Sequence, residues 1–392
     1  MKNIEFLVGS LPINNCPLKP YSDMVCNFAA QLSQNLLKNS NTKAYSDVLS
    51  FAFWCRKGNV KLLQQQWTGS DESRVGKGLV FHIAPSNVPV NFAFSYMFSL
   101  FAGNANIVRV PSKDFPQVRI IITAIKEVLN DFPEIMSRTA FVRYPVNDDI
   151  TQELSNMADA RMIWGGDSTV KSVRSLDVKP RCIDVVFADR YSFSIIDGVA
   201  VHEANEKQMM SLARGFYNDT YLMDQNACSS PQIIFWQNAQ DADKEKFWQA
   251  IYDYAEKNYV LQPASAVDKY DKACSDAISL TNISKVIRYG NLLYRVIVNS
   301  YENIKECKLR GSCGYFYETD LQNFVDLKAI VTEKYQTITY YGINANELCD
   351  FVKEQGLRGI DRIVPIGDAM DIGVIWDGYD IVRMLSRIVY AK

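Results

Sequence analysis

The chain has 392 residues, 48% of them hydrophobic and 12% aromatic, which is enough for a large core and favours two domains. Its 42 basic and 44 acidic residues nearly balance, so charge gives no reason to expect binding to nucleic acid or to an anionic membrane surface. The nine cysteines show no CxxC pair and no Cys/His cluster, and we expect neither a disulfide framework nor a metal site. No signal peptide and no apolar stretch of membrane-spanning length is visible, which predicts a soluble, reduced, cytoplasmic protein without a membrane span.

The first 75 residues show helical spacing but no obvious chemistry. Apolar residues recur at helical intervals over 22–38 and 44–66, and the polar run 68–73 predicts a linker. We expect residues 1–75 to form a helical segment that packs on the following domain.

From Gly78 onward, short apolar strands alternate with helices. Strands are predicted over 79–83, 106–110, 140–144, 160–164 and 183–187, with helices over 90–101, 116–129, 148–158 and 167–175. This alternation favours parallel strands joined by right-handed crossovers, so residues 76–204 are predicted to form a Rossmann-like nucleotide-binding domain. Its ligand is expected beyond the carboxyl ends of the strands.

A second alternating block predicts another α/β domain over residues 205–365. Helices are predicted over 203–217 and 241–258, and strands over 232–236, 294–298, 314–318 and 335–340. Residues 366–392 then form a C-terminal segment that is expected to return to the first domain or to an oligomer interface.

Cys228 is the strongest candidate for chemistry. It lies in the run DQNACSSPQ (224–232), among small polar side chains and just before a predicted strand. A thiol placed there, with room for a substrate, suits a covalent nucleophile. A free, half-buried structural cysteine explains the same residues.

Asn87 is the second candidate, in the run APSNVPVN (84–91) after the first predicted strand. Prolines on both sides stiffen its backbone, and its amide suits donation to a developing oxyanion. A plain strand-to-helix turn is the alternative.

Arg109 and Lys113 flank the end of the second strand, where two cations suit a 2′-phosphate. Solvated surface charge is the alternative there.

Gly165 and Gly166, in the run WGGDSTV (164–170), follow the fourth strand. They let a ligand approach the backbone, and the helix start behind them suits a phosphate. Asp167 or Ser168 is the expected cap of that helix, and an ordinary turn is the alternative.

The two histidines are placed poorly for a Cys-His hydrolase, since His82 is expected in the core and His202 on the surface.

In this order, the motifs resemble the aldehyde dehydrogenase superfamily, and most closely its LuxC-type acyl-CoA reductases. The runs that carry the resemblance are HIAPSNVP (82–89), DQNACSSPQ, RIVPIGDA (362–369) and WDGYD (376–380), and it extends from about Gly78 to Lys392. The resemblance implies an α/β, aldehyde-dehydrogenase-like fold with two parallel-sheet domains, a Rossmann-like cofactor domain and a catalytic domain.

The resemblance also implies roles for single residues. Cys228 would take the acyl group from a thioester, and Asn87 would form the oxyanion hole with the backbone N–H of Cys228. Ser112 stands where NAD-preferring members place a glutamate, which favours NADPH beside Lys113. The implied cofactor contacts are Ile83, Ala84, Pro85, Ser86, Arg109, Ser112, Lys113, Gly165, Gly166 and Asp167.

Hydrolytic members of that superfamily activate water with a glutamate, and none occurs over 186–190. A thioester on Cys228 would therefore survive for hydride or a thiol. Glu306 and Glu318 are the candidates for holding the nicotinamide ribose.

Together these features predict an NADPH-dependent reductase that converts fatty acyl-CoA, or an acylated protein partner, to an aldehyde through an acyl-cysteine. A homo-oligomer is also expected. The alternatives are a CoA-acylating dehydrogenase of short-chain aldehydes and, in another class, a catalytically silent scaffold with the same fold.

Overall fold

The computed structural model describes residues 4–67, 73–85, 88–301, 304 and 309–392. The strands in these ranges are β1 (Glu5–Val8), β2 (Arg74–Gly76), β3 (Leu79–Ile83), β4 (Ala105–Arg109), β5 (Thr139–Arg143), β6 (Ala160–Trp164), β7 (Ile183–Phe187), β8 (Tyr191–Asp197), β9 (Pro231–Gln237), β10 (Ile283–Tyr289), β11 (Leu293–Val298), β12 (Tyr315–Asp320), β13 (Tyr335–Tyr341), β14 (Arg362–Pro365), β15 (Ile375–Trp376), β16 (Tyr379–Asp380) and β17 (Ser386–Ile388).

The α-helices in the same ranges are α1 (Asp23–Lys38), α2 (Ser46–Trp54), α3 (Lys57–Trp67), α4 (Asn91–Phe101), α5 (Pro116–Leu129), α6 (Pro133–Met136), α7 (Asp148–Met157), α8 (Asp167–Arg174), α9 (Gly198–Glu203), α10 (Glu206–Thr220), α11 (Asp241–Asn258), α12 (Pro263–Ser279), α13 (Leu327–Ile330), α14 (Ala345–Glu354) and α15 (Ile381–Met384). Within the described residues, no helix combines the length and the apolar character needed to cross a membrane.

The chain forms two compact units. The first consists of Met1–Ala188 together with Gly373–Lys392, and the second of Asp189–Ile372.

The first unit contains a sheet with the order β1-β5-β4-β3-β6-β7. All its pairings are parallel except that of β1 with β5. Every residue of β3 is buried, as expected for a strand covered on both faces. Because β4 lies on one side of β3 and β6 on the other, the loops after β3 and β6 flank a switch point of the strand order. Ligands bind at such points in open α/β sheets.

The second unit contains a sheet with the order β10-β11-β12-β9-β8-β13-β14, parallel except for β10 with β11. Alternate residues of its central strands enter two different apolar clusters: Ile233 and Phe235 belong to one, and Ile234 and Trp236 to the other. Since successive side chains of a strand point to opposite faces, both faces of this sheet are buried.

The α/β prediction with two sheets of mainly parallel strands is confirmed. One predicted helix is wrong, because 44–66 forms α2 and α3 with a break at Cys55 and Arg56. The side chain of Asn59 donates to the carbonyl oxygen of Trp54 at 2.7 Å, which satisfies an end group of α2 where the helix stops.

Candidate active site

The nucleophile loop, residues 224–230, connects the 3-10 turn Tyr221–Met223 to β9. Asp224 and Gln225 have left-handed φ values of 50° and 62°, which residues other than glycine rarely adopt. Cys228 is exposed at the amino end of β9. The strained start of the loop therefore has to be held by contacts from the surrounding strands.

Two glutamines fix the loop to β12 and to the segment before it. Gln225 is 1% exposed, and its amide accepts from the backbone N–H of Tyr315 at 3.2 Å and donates to the carbonyl oxygen of Tyr315 at 3.0 Å. The amide of Gln232 donates to the carbonyl oxygen of Gln225 at 2.9 Å and accepts from the N–H of Gly311 at 2.8 Å. The Gln225 side chain thus pairs with β12 much as another strand would.

The backbone of Cys228 is held from β8. The Ser192 hydroxyl donates to the carbonyl oxygen of Cys228 at 2.6 Å and accepts from the N–H of Thr337, on β13, at 3.2 Å. The main chain of the cysteine is thereby tied to two strands while its thiol remains exposed.

Asp224 anchors the start of the loop. Its carboxylate accepts from the Tyr259 hydroxyl at 2.5 Å, and its carbonyl oxygen accepts from the N–H of Cys313 at 3.0 Å. Burial, with the Asp224 carboxylate beside it, raises the pKa of Tyr259 above its usual range, so this hydroxyl stays a donor.

A second turn, residues 366–371, lies against the end of α10 and is called the Gly367 turn. The buried carboxylate of Asp219 accepts from the N–H groups of Gly367 at 2.7 Å and Ala369 at 3.0 Å. Burial, with a smaller contribution from the charges of Asp368 and Asp371, raises the pKa of Asp219 to about 7 in spite of these two donors.

In the first unit, the predicted cofactor residues gather at one edge of the sheet. Ile83 is opposite Arg109 on one side and Ile163 on the other, so the ends of β3, β4 and β6 are level. Ala84 and Pro85 continue beyond β3 and are partly exposed. Ser86 and Asn87 lie outside the described residues, so their predicted roles stay predictions.

The two glycines after β6 have different surroundings. A Cβ added to Gly165 would come within 3.1 Å of the Thr169 side chain, whereas one added to Gly166 would meet no described atom within 4 Å. Gly166 is also the N-cap residue of α8, so the expected capping by Asp167 or Ser168 is wrong. Asp167 is the exposed first residue of the helix. The open space and the exposed N-terminal turn leave room for a phosphate.

The cations after β4 lie at the same edge. The Arg109 guanidinium is 4.5 Å from the centroid of the Tyr144 ring, and the Lys113 ammonium is 5.0 Å from that of Phe115. Ser112 and Lys113 are both exposed. Stacking fixes the direction of Arg109, so the three residues present a partly ordered, positively charged rim.

His82 is a buried, hydrogen-bonded core residue, as expected from its strand. Its Nε2 is 2.9 Å from the side-chain amide oxygen of Asn106 and its Nδ1 is 2.8 Å from the Ser95 hydroxyl, which accepts from the Trp164 indole at 3.0 Å. Because the Asn106 oxygen only accepts, the imidazole carries its proton on Nε2 and accepts from Ser95. Burial lowers its pKa to about 4. These hydrogen bonds orient Trp164, which stacks on Phe187 at this edge of the first sheet with 3.7 Å between ring centroids.

Glu318 and Glu306 were the candidates for holding the nicotinamide ribose. Glu318 does not suit the role of holding a ribose, because it is 2% exposed and its oxygens accept from Arg295 and from the indoles of Trp236 and Trp248. Glu306 lies outside the described residues.

His202 is on the surface as expected, with 77% of its side chain exposed. Among the residues that the structure describes, no cluster of His, Cys, Asp and Glu is suited to hold a metal ion.

Several site residues had no predicted role. Gln225 and Gln232 belong to the quoted run 224–232, but their partners lie far along the chain. Ser192 and Asp219 carry no local signal, because their importance depends on contacts that only the fold creates.

Comparison with known proteins assigns the chain to a family. The family described as Acyl-CoA reductase (LuxC) matches residues 23–390, which begins well upstream of Gly78. The chain belongs to this acyl-CoA reductase family. A relative from Photorhabdus laumondii, a long-chain acyl-protein thioester reductase, is 24% identical over 335 residues, covering 83% of this chain and 66% of the relative. The protein of the same name from Photorhabdus luminescens is 24% identical over 339 residues, with the same coverages. The family member described here thus spans just under two thirds of these relatives.

Solved structures of aldehyde dehydrogenases align with this family member. The 1-pyrroline-5-carboxylate dehydrogenase from Thermus, solved with bound NAD, aligns with a TM-score of 0.64 at 10% identity. The alignment covers 94% of this chain and 81% of the Thermus chain. At this identity the likeness establishes an aldehyde-dehydrogenase fold.

Proposed function

We propose that this acyl-CoA reductase family member reduces fatty acyl thioesters to aldehydes, with Cys228 as the acyl-carrying nucleophile and NADPH as the reductant. The substrate is fatty acyl-CoA or an acylated protein, and the names of the relatives support the second source as well. The observation that carries the proposal is the exposed thiol on a loop held by Gln225, Gln232 and Ser192. A structural cysteine needs no such support.

In the proposed reaction, the Cys228 thiolate attacks the thioester carbonyl carbon and forms a C–S bond. The negative charge that develops on the carbonyl oxygen is stabilised by the backbone N–H of Cys228 and by Asn87. Collapse breaks the bond to the departing thiolate, which takes up a proton, and leaves the acyl group on Cys228. The hydrogen bond from Ser192 to the Cys228 carbonyl keeps this backbone oriented during the step.

The ion pair of one acid, Asp189, supports a thioester that is not attacked by water. Asp189, near the place where hydrolytic relatives carry a glutamate, pairs with Arg310 at 3.0 Å. The carboxylate of Asp189 is thus engaged by a guanidinium and is not directed at a water molecule beside a thioester. The acyl group would therefore remain on Cys228 until it is reduced.

The edge of the first sheet fits a phosphorylated dinucleotide. Gly166 and the start of α8 would hold the pyrophosphate, and Arg109, Ser112 and Lys113 would contact the adenosine ribose and its 2′-phosphate. When bound, such a cofactor supplies hydride. The chain's own contribution is to place Trp164 at this edge through Ser95 and His82.

The test is NADPH oxidation measured across acyl-CoA chain lengths, with Cys228→Ala as the variant. We expect kcat to fall on the order of a thousandfold or more, because the covalent step is lost. Cys349→Ala is the matched control, since Cys349 is an exposed cysteine of the same unit and should leave kcat unchanged. Turnover that survives Cys228→Ala would refute the proposed mechanism.

A further inference from the structure

We propose that Asp219 is a positioning residue, whose carboxylate fixes the Gly367 turn on α10 and thereby holds the nucleophile loop in place. The inference rests on the proposed role of Cys228, but its test does not require turnover. It is argued from contacts within the second unit alone.

The carboxylate of Asp219 satisfies two neighbouring N–H groups of the turn. One oxygen accepts from Gly367 at 2.7 Å and the other from Ala369 at 3.0 Å. Hydrogen bonds from N–H groups to an ionised carboxylate are about twice as strong as those between neutral groups. The ionised side chain therefore grips the turn with both oxygens.

The same residue contacts the nucleophile loop through its main chain. The Ser230 hydroxyl donates to the carbonyl oxygen of Asp219 at 2.6 Å. Next to it, the Ser229 hydroxyl is 3.5 Å from the Met370 sulfur, at the far end of the turn. Asp219 and Met370 thus link the turn to the two residues that follow Cys228.

The turn also fits closely onto α10. A Cβ added to Gly215 would lie 2.9 Å from the carbonyl oxygen of Ile366 and 3.2 Å from the Cα of Gly367. On the other side, the Arg362 guanidinium donates to the carbonyl oxygens of Ala369 and Asp371, both at 3.0 Å. The turn is a defined structure, so a change at Asp219 is transmitted through it.

The charge of Asp219 is retained at a cost. The group is fully buried, and the carboxylates of Asp368 and Asp371 in the same turn disfavour its ionisation. Both charged groups that act on the pKa of Asp219 are thus acidic. The Arg362 guanidinium binds carbonyl oxygens of the turn. A contact with a purely structural role could be made by a neutral side chain, which costs less free energy to bury.

The test is hydrogen exchange in wild type and Asp219→Asn, over the peptides that cover 363–371 and 224–232. Asparagine keeps one acceptor oxygen but turns an NH2 group towards the second N–H. At pH 8 we expect both peptides to lose protection by about tenfold.

Asp368→Asn is the matched control, since it removes a neighbouring exposed charge and no hydrogen bond in the turn. It should keep the protection of both peptides at pH 8. Alkylation by iodoacetamide gives a second readout: Cys228 should react faster in Asp219→Asn, while the fully buried Cys55 of the first unit should stay unmodified.

Wild-type protection of 224–232 in Asp219→Asn would overturn the proposal. So would a loss of protection spread over the whole second unit, which would show a general structural role. If instead Cys228→Ala keeps full reductase activity, the proposed function fails, while the exchange results still decide whether Asp219 positions the loop.

Discussion

At the scale of single residues, the site depends on polar groups that are buried next to exposed ones. Gln225 and Ser192 are buried and hydrogen-bonded, and the thiol of Cys228 between them is exposed. Buried, fully paired polar groups fix local geometry well, because an unpaired group in the interior costs about 1–3 kcal/mol. The exposed thiol therefore has a well-defined backbone under it.

Cofactor choice is a prediction at this scale. Ser112→Glu places a carboxylate at the exposed rim beside Lys113, where it would repel a 2′-phosphate and bind a 2′-hydroxyl. We expect the ratio of kcat/KM for NADPH over NADH to fall by about tenfold or more. The loss of one charge contact of about 1.4 kcal/mol lowers the affinity for NADPH tenfold. Ser137→Glu adds the same charge at another exposed serine of the unit and should leave the ratio unchanged. An unchanged ratio in Ser112→Glu would contradict the assignment of the rim.

At the scale of elements, the nucleophile loop depends on Gln225 as a substitute strand partner for β12. Gln225→Ala leaves the N–H and carbonyl groups of Tyr315 without this partner, and we expect about 2 kcal/mol less stability towards urea. Gln322→Ala, at an exposed position, should stay within about 0.5 kcal/mol of wild type. If both variants unfold at the same urea concentration, the loop does not depend on Gln225.

The elements also show what the sequence could and could not predict. Strands β3 and β6 were predicted to the residue, because each is a short run of mostly apolar residues that is buried along all or nearly all of its length. Strand β8 was missed because Ser192 and Ser194 interrupt its apolar pattern, and both hydroxyls bond within the sheet. Helix α12 was missed because its buried residues are the polar Lys269 and Asp276, while its apolar residues at helical spacing are exposed.

The site was predicted as far as local runs allow. Cys228 and the glycines after β6 stand in short polar or glycine-rich runs at strand ends. Such runs can be recognised from the sequence alone. The partners of the loop are distant: Tyr315 lies 90 residues after Gln225, and Ala369 lies 150 residues after Asp219. No local pattern specifies such pairs.

At the scale of the whole molecule, the two units should respond to acid in opposite directions. In the first, burial lowers the pKa of His82 from 6.5 to about 4, so its stabilising contribution is complete above 6.5 and is lost as the pH falls towards 4. In the second, the pKa of Asp219 is raised from 3.8 to about 7, so its contribution is complete below 3.8 and is lost as the pH rises towards 7.

The measurement is hydrogen exchange of the strands of each unit between pH 7.5 and 4.5. Strand β3 should lose on the order of 3 kcal/mol of stability on acidification through His82, at about 1.4 kcal/mol for each pKa unit. His82→Gln should remove this loss, because glutamine does not titrate. A loss of equal size in His82→Gln would show that another group is responsible.

The central claim is that Cys228 carries the acyl group, and trapping the acyl-enzyme tests it most directly. The protein is incubated with a long-chain acyl-CoA in the absence of any nicotinamide cofactor, digested at mildly acidic pH and analysed by mass spectrometry. The account predicts one acyl group, removable by hydroxylamine, on the peptide that contains Cys228, and none in Cys228→Ser. An acyl group on another cysteine only, or no adduct in a protein that turns over, would contradict it.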